Sequence, residues 1–254
     1  MNTLNMSNIH CDGSILENND EQTIYLTPSS PYQYTNNTWI YKKTPTQDQW
    51  LLDLKRQHQL HTEQGSNHYS FHFPENELLD PSWMAMFKKM NFQLGIMELY
   101  AIESDQLAKL PRNSEIKIVI VDETNIDDYL KVSYQFSLPF GTDYADAHEK
   151  MVKAHYQDDD IKRMVAYISD EPIGVVDVIE SDNYIEIDAF GVLESYRNQG
   201  IGSTIQSLIG EYAMSRNRKP IILVADGEDT AKDMYVKQGY TYQSFCYQIL
   251  KEDI

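Results

Sequence analysis

With 254 residues, 41% of them hydrophobic, the chain has enough apolar material for one large or two small domains. A formal net charge of −18 argues against a nucleic-acid backbone or an anionic membrane as the main partner. The two cysteines, Cys11 and Cys246, lie far apart, which argues against a disulfide framework or a cysteine zinc site and for a reducing, cytoplasmic setting; no run approaches the roughly 18 apolar residues of a membrane span, and no leader is expected.

Residues 1–22, "MNTLNMSNIHCDGSILENNDEQ", are polar, rich in Asn and without periodicity, so a disordered or loosely attached tail is expected. A first α/β unit follows over 23–110. "TWIYKK" reads as a strand, and "TQDQWLLDLKRQHQLHTEQ" as a helix with Trp50, Leu51 and Leu54 on one face. "HYSFHFP" alternates like a strand; "DPSWMAMFKKM" opens with Asp80 as N-cap and Pro81 at the first helical position; "LGIMELYAI" reads as a strand.

"LPRNSE" (110–115) reads as a boundary, and a second unit over 111–254 begins with the apolar strand "IKIVIV". Helices over about 124–136 and 143–156 flank "SLPFG". The strands "RMVAYIS", "IGVVDVIES" and "YIEIDAFGV" follow, joined by short turns into an antiparallel run. A helix with Ile201, Ile205, Leu208, Ile209 and Tyr212 at helical spacing, the strand "IILVAD", a helix through "TAKDMYVKQ" and a strand in "YTYQSFCYQIL" close the chain. "MFKKMNFQL" (86–94) and "MYVKQGYTY" (234–242) align without gaps, each ending a helix and entering a strand, which suggests a degenerate repeat.

"ESYRNQGIGSTIQ" sets Gly200 and Gly202 one residue apart after Arg197, where a strand gives way to a helix. Inside a helix each glycine costs about 1 kcal/mol against alanine, so their use here points to close approach of a ligand to the backbone. Successive N–H groups at a helix start, with no Cβ in the way, form a concavity suited to pyrophosphate. Neither a G-x-G-x-x-G fingerprint after an early strand nor a G-K-[ST] loop is present.

"GVLESYRNQGIGSTIQSLI", together with Ala231, Tyr235, Gly239 and Tyr240 in "TAKDMYVKQGY", resembles the GNAT superfamily of acetyl-coenzyme A-dependent N-acetyltransferases over about residues 115–250. The resemblance implies an α/β GNAT fold with a mixed sheet, preceded by a smaller GNAT-like unit. It implies acetyl-CoA held by the backbone at Phe190, Gly191 and Val192, by Arg197, Asn198, Gln199, Gly200, Ile201, Gly202 and Ser203, and by Ala231. Two departures stand out: Glu194 replaces a frequent proline, and "GEDT" replaces a frequent asparagine, with Glu228 and Asp229 adding negative charge beside an anionic ligand.

The resemblance further implies direct acetyl transfer to an amine. An amine of pKa about 10.4 must lose a proton at neutral pH, which calls for a base. Glu186 and Asp188, two apart on one strand face, are the candidates; Glu186 stands where some family members carry the base, and the alternative that both merely face solvent stays open. Tyr235 matches the usual proton donor to the leaving sulfur, against the alternative of a core tyrosine. Cys246, inside an apolar strand, is not expected to act as nucleophile. Phe140, Asp143 and Tyr144 in "SLPFGTDY" border the acceptor site by the same resemblance, and the acceptor itself is read as a small-molecule or peptide amine.

In the first unit Phe87 and Trp83 stand where the second has Tyr235 and Ala231, so this unit is expected to bind no cofactor and to buttress the catalytic domain or wall its acceptor site. His58 and His61 share a helix face, and His68 and His72 a strand face, but nothing else asks for metal and they read as partly exposed histidines. The oligomeric state, a dimer among the options, is left open. A cofactor-binding regulator without turnover is the alternative function.

Overall fold

A computed structural model describes residues 4–157, 160–228 and 231–252. The chain divides into two compact units: Met1–Leu99 with Ala225–Lys232 and Gln243–Ile254, and Tyr100–Val224 with Asp233–Tyr242. The division thus falls at Leu99 and Tyr100 rather than at "LPRNSE", and the last strand of the chain belongs to the first unit.

The first unit runs β1 (Ile15–Asn18), β2 (Gln22–Tyr25), β3 (Trp39–Tyr41), α1 (Gln47–Gln64), β4 (His68–His72), α2 (Pro81–Lys89) and β5 (Gln93–Ile102), whose last residues enter the second unit. Residues 4–22 are not a loose tail. They form a short 3-10 turn over Met6–Asn8, whose Met6 N–H donates to Glu75 Oε1, and then the hairpin of β1 with β2. Turn chemistry supplies what periodicity lacks, because Asn19 Oδ1 accepts the N–H groups of Glu21 and Gln22. At Gly13 an added Cβ would meet the Tyr25 ring at 2.9 Å, so the strand entry lies flat on its neighbour.

Thr46 caps α1 through its side chain; Asp80 caps α2 in the same way and Pro81 starts it, as expected from the sequence. Trp50 is fully buried, with Phe71, Trp83, Phe87 and Phe92 packed edge-on around it at 5.5–5.9 Å between ring centroids. Trp83 and Phe87 are therefore core residues. β3 and β4 pair in parallel, with α1 as the crossover, and the C-terminal strand pairs antiparallel with β4 from Gln248–His72 to Glu252–His68.

The second unit runs α3 (Ser104–Leu107), β6 (Ile116–Ile120), α4 (Ile126–Ser137), α5 (Thr142–His155), β7 (Ile161–Ile168), β8 (Glu171–Glu180), β9 (Ile185–Val192), α6 (Ile201–Ser215), β10 (Ile221–Asp226), α7 (Ala231–Gln238) and β11 (Thr241–Glu252), of which Ala225–Lys232 and the strand from Gln243 onward group with the first unit. β6 to β9 form an antiparallel run in chain order, and β9 pairs in parallel with β10 across α6. Ile201, Ile205 and Ile209 are buried on one face of α6, which the sequence spacing anticipates. Ala108, Arg112 and Asn113, the last two within the polar "LPRNSE", are bonded to α6. The order β3–α1–β4–α2–β5 repeats as β9–α6–β10–α7–β11, each with a parallel pair across its first helix.

Candidate cofactor and acceptor site

Two features of β9 shape the site. Val175 of β8 faces Gly191, yet Asp177 faces Asp188, so two steps along β8 span three along β9. The extra residue is a β-bulge, and Ala189 adopts φ 46°, a left-handed conformation uncommon for a residue with a side chain. The bulge re-aims the backbone of Phe190–Val192. Secondly, among the described residues β9 pairs with β10 at Ile185–Ile221 and Glu186–Ile222, although β9 runs on to Val192 and β10 continues through Val224 within this unit. They splay apart, which leaves backbone edges for an extended, amide-bearing ligand.

Beyond β9 a 3-10 turn over Glu194–Tyr196 leads to α6. Asn198 (φ 63°) and Gly200 (φ 78°) are both left-handed, with Gly200 as N-cap, and no side chain caps this helix end. The N–H groups of the first turn are thus left for an anion, and alternating backbone handedness arranges them as a nest. At Gly202 an added Cβ would come within 3.3 Å of Phe190 Cζ, a contact that glycine alone avoids. Arg197, Asn198, Gln199 and Gly200 are exposed, and Arg197 Nε donates to Val192 O at 3.2 Å, joining turn to strand. Ser203 and Ile201 sit in the first turn, with Ile201 buried. An open, uncapped, glycine-lined helix start fits a pyrophosphate-bearing ligand.

Glu186 and Asp188 share a strand face, but their surroundings differ. Glu186 is 4% exposed and lies between Ile179 of β8 and Ile222 of β10. Asp188 is exposed and lies opposite Asp177, which in turn lies opposite Arg163 of β7. Like charges directly opposite one another repel. Here Asp177 is compensated: Arg163 Nε stands 3.5 Å from its Oδ2, and the Tyr129 hydroxyl donates to its Oδ1 at 2.7 Å. No ion pair of Asp188 is formed among the described residues.

α5 brings Tyr144 and His148, stacked with centroids 6.2 Å apart, within the field of Asp188, and the Phe140 ring lies 5.3 Å from Tyr144. Burial raises the pKa of the Tyr144 phenol and the Asp188 charge adds to the rise. Burial lowers that of His148, with Arg163 acting in the same sense and Asp188 against it. Of the acceptor residues expected from sequence, Phe140 and Tyr144 come together, whereas Asp143 is exposed on the first turn of α5. Arg163, Tyr129, Asp177 and His148 were missed. The lone charge of "RMVAYIS" and the aspartate set among the valines of "IGVVDVIES" were the available signals for the first and third.

Tyr235 is 9% exposed and sits edge-on to Tyr240 at 5.5 Å; the Tyr240 hydroxyl donates to Gln206 Oε1 of α6 at 3.0 Å. Ala231 is the first residue of α7. Glu228 lies in the turn before it, where its N–H donates to Asp226 Oδ1, and Asp229 lies outside the described residues. Cys246 is buried, and burial with the nearby charge of Glu75 pushes its thiol up to about 12, so it is not a thiolate near neutral pH.

In the first unit two of the four histidines differ from expectation. His58 is exposed, but His61 and His68 are fully buried, their rings 4.9 Å apart, because His61 Nδ1 bonds to His68 O at 2.6 Å under α1. Among the described residues no group of three or more His, Cys, Asp or Glu is arranged to hold a metal ion, and no helix is long and apolar enough to cross a membrane.

Residues 126–240 match the model of the Acetyltransferase (GNAT) family, and residues 4–100 match a domain of unknown function, DUF5613. An uncharacterized N-acetyltransferase of Archaeoglobus fulgidus is 32% identical over 109 residues, 39% of this chain and 74% of that protein. A functionally unknown conserved protein from Staphylococcus epidermidis has a similar structure at TM-score 0.93 and 47% identity, covering 99% of this chain and 98% of its own. A GCN5-related N-acetyltransferase from Kribbella flavida shares the fold at TM-score 0.64 and 14% identity, covering 94% and 90%.

Proposed function

The chain belongs to the GNAT family of acetyltransferases and is an acetyl-CoA-dependent N-acetyltransferase; from that premise we propose that it passes the acetyl group directly to an amine in a ternary complex, with Glu186 as base and Tyr235 as acid. The observation that carries this reading is the uncapped, glycine-opened start of α6 beside the splay of β9 and β10. When bound, acetyl-CoA supplies an acetyl carbonyl activated as a thioester.

The N–H groups at Gly200–Ser203 hold its pyrophosphate, with Arg197, Asn198 and Gln199 shaping the turn. The re-aimed backbone of Phe190–Val192 positions and polarises the carbonyl. Asp188, whose charge reaches Tyr144 and His148, attracts a protonated amine, and the rings of Tyr144 and Phe140 offer it cation–π contact. Glu186, largely removed from bulk water, takes the ammonium proton at its carboxylate. The Tyr235 phenol returns a proton to the departing sulfur. The acceptor in this reading is a small-molecule or peptide amine, drawn by an acidic surface. The first unit is a second copy of the same element order in which Trp83 and Phe87 are given over to the core.

Initial rates with both substrates varied test direct transfer. Intersecting double-reciprocal lines and no acetylated protein in the absence of amine are expected, since burial holds the Cys246 thiol protonated and raises the pKa of the Cys11 thiol as well. Parallel lines with an acetyl group trapped on the protein would contradict it.

A further inference from the structure

The segment before β6 is bonded to the cradle at one residue. Asn113 donates its backbone N–H to Thr204 Oγ1 at 2.9 Å and its side-chain Nδ2 to Gln199 O at 3.0 Å. Its Oδ1 accepts the N–H of Glu115 at 3.0 Å, which fixes the amide orientation, because the flipped amide would set donor against donor and acceptor against acceptor. Thr204 Oγ1 in turn donates to Gly200 O at 2.8 Å. The carbonyls of Gln199 and Gly200 are therefore both held from the side of Asn113 and Thr204. In a planar trans peptide the N–H points opposite to the C=O, so holding these carbonyls turns the N–H groups of Gly200 and Ile201 the other way, out of the helix start.

We propose that Asn113 is a positioning residue of the coenzyme A cradle, whose side-chain amide keeps the Gln199–Ile201 backbone with its N–H groups turned toward the pyrophosphate. This rests on the cradle reading above. The rest of the segment docks without Asn113. Arg112 donates from Nε to Ser207 Oγ at 2.9 Å and pairs with Glu211 at 2.7 Å. Ser207 Oγ donates to Ala108 O, and Gly210 lies so close to Ala108 that an added Cβ would meet its N at 2.4 Å. Loss of the Asn113 side chain thus frees two or three residues of turn and leaves the docking in place.

The test is calorimetric titration of coenzyme A into the full chain and into Asn113→Ala and Arg112→Ala, with kinetics alongside. Asn113→Ala is expected to raise the Kd for coenzyme A and the KM for acetyl-CoA by about tenfold, the worth of one hydrogen bond, with kcat at saturation within about twofold. With acetylpantetheine as donor, which lacks the pyrophosphate, the difference between wild type and Asn113→Ala should vanish. Arg112→Ala should lower Tm and leave the Kd unchanged. Unaltered binding by Asn113→Ala, an equal loss in Arg112→Ala, or a defect that persists with acetylpantetheine would overturn the assignment. Failure of the wild type to bind coenzyme A would overturn the cradle reading itself and Asn113's role with it.

Discussion

Glu186→Gln lowers kcat for amine acetylation by about 10²–10³, within the usual range for loss of a general base, and leaves the Kd for acetyl-CoA within about twofold. The side chain keeps its shape, so the buried strand position between Ile179 and Ile222 is undisturbed. Above pH 9 the deficit narrows, because an amine of pKa about 10.4 then arrives increasingly deprotonated. Asp188→Asn acts differently: it raises the KM for amine and changes kcat less, since an exposed carboxylate attracts the cation without taking its proton. Tyr235→Phe slows turnover by about tenfold, because a phenol of pKa near 10 is only a modest donor to a thiolate whose acid form has pKa about 8.5. Steady-state kinetics on the three variants across pH 6–10 decide the roles. A larger fall in kcat for Asp188→Asn than for Glu186→Gln would exchange the two carboxylates.

Mild acid is expected to lower the stability of the first unit before most of its carboxylates titrate. Burial lowers the pKa of His61, takes that of His68 down to about 3 with help from the neighbouring His61, and takes that of His72 down to about 4. His68 lies between His61, the Tyr34 ring and Asn37 O, and the carboxylate of Glu252, opposite it on β11, is bonded to the Tyr34 hydroxyl. Each imidazole is neutral in the folded unit and titrates near 6.5 in the unfolded chain. Their stabilisation is therefore complete above about pH 6.5 and drains as pH falls toward the folded values. At about 1.4 kcal/mol per pH unit for each group, His68 and His72 together remove roughly 4 kcal/mol by pH 5, and His61 adds in the same direction. Acidification also relaxes the repulsion of a −18 net charge, which works the other way but is screened by salt, whereas burial of a histidine is not. Thermal melts in 0.3 M salt (about a 6 Å screening length) should show Tm falling steeply between pH 6.5 and 5. His68→Gln with His72→Gln should flatten that slope whatever its starting stability. A slope unchanged in the double variant would refute the assignment to these histidines.

Much of this was legible in the sequence, for identifiable reasons. Ile201, Ile205 and Ile209 announce α6 by their period, and Gly200 and Gly202 point to the proposed cradle because glycine at a helix start has a cost that needs a reason. Alternation puts Glu186 and Asp188 on one face. It says nothing about what each meets across the sheet: that depends on register, which sets Ile179 and Ile222 beside one and Asp177 beside the other. The bulge at Ala189 was hidden because a left-handed residue with a side chain leaves no mark in the letters. The hairpin of β1 and β2 and the docking of "LPRNSE" were missed alike, since both are held by polar groups of Asn19, Arg112 and Asn113 and not by an apolar pattern.

The most direct measurement is a calorimetric titration of acetyl-CoA into the wild type and into the double variant Gly200→Val, Gly202→Val. A valine at 200 must hold a left-handed backbone that β-branched residues resist, and one at 202 must push into Phe190. Micromolar binding by the wild type, lost in a variant whose circular dichroism is unchanged, is the predicted result. Absent binding by the wild type, or equal binding by the two, would contradict the cradle at the start of α6.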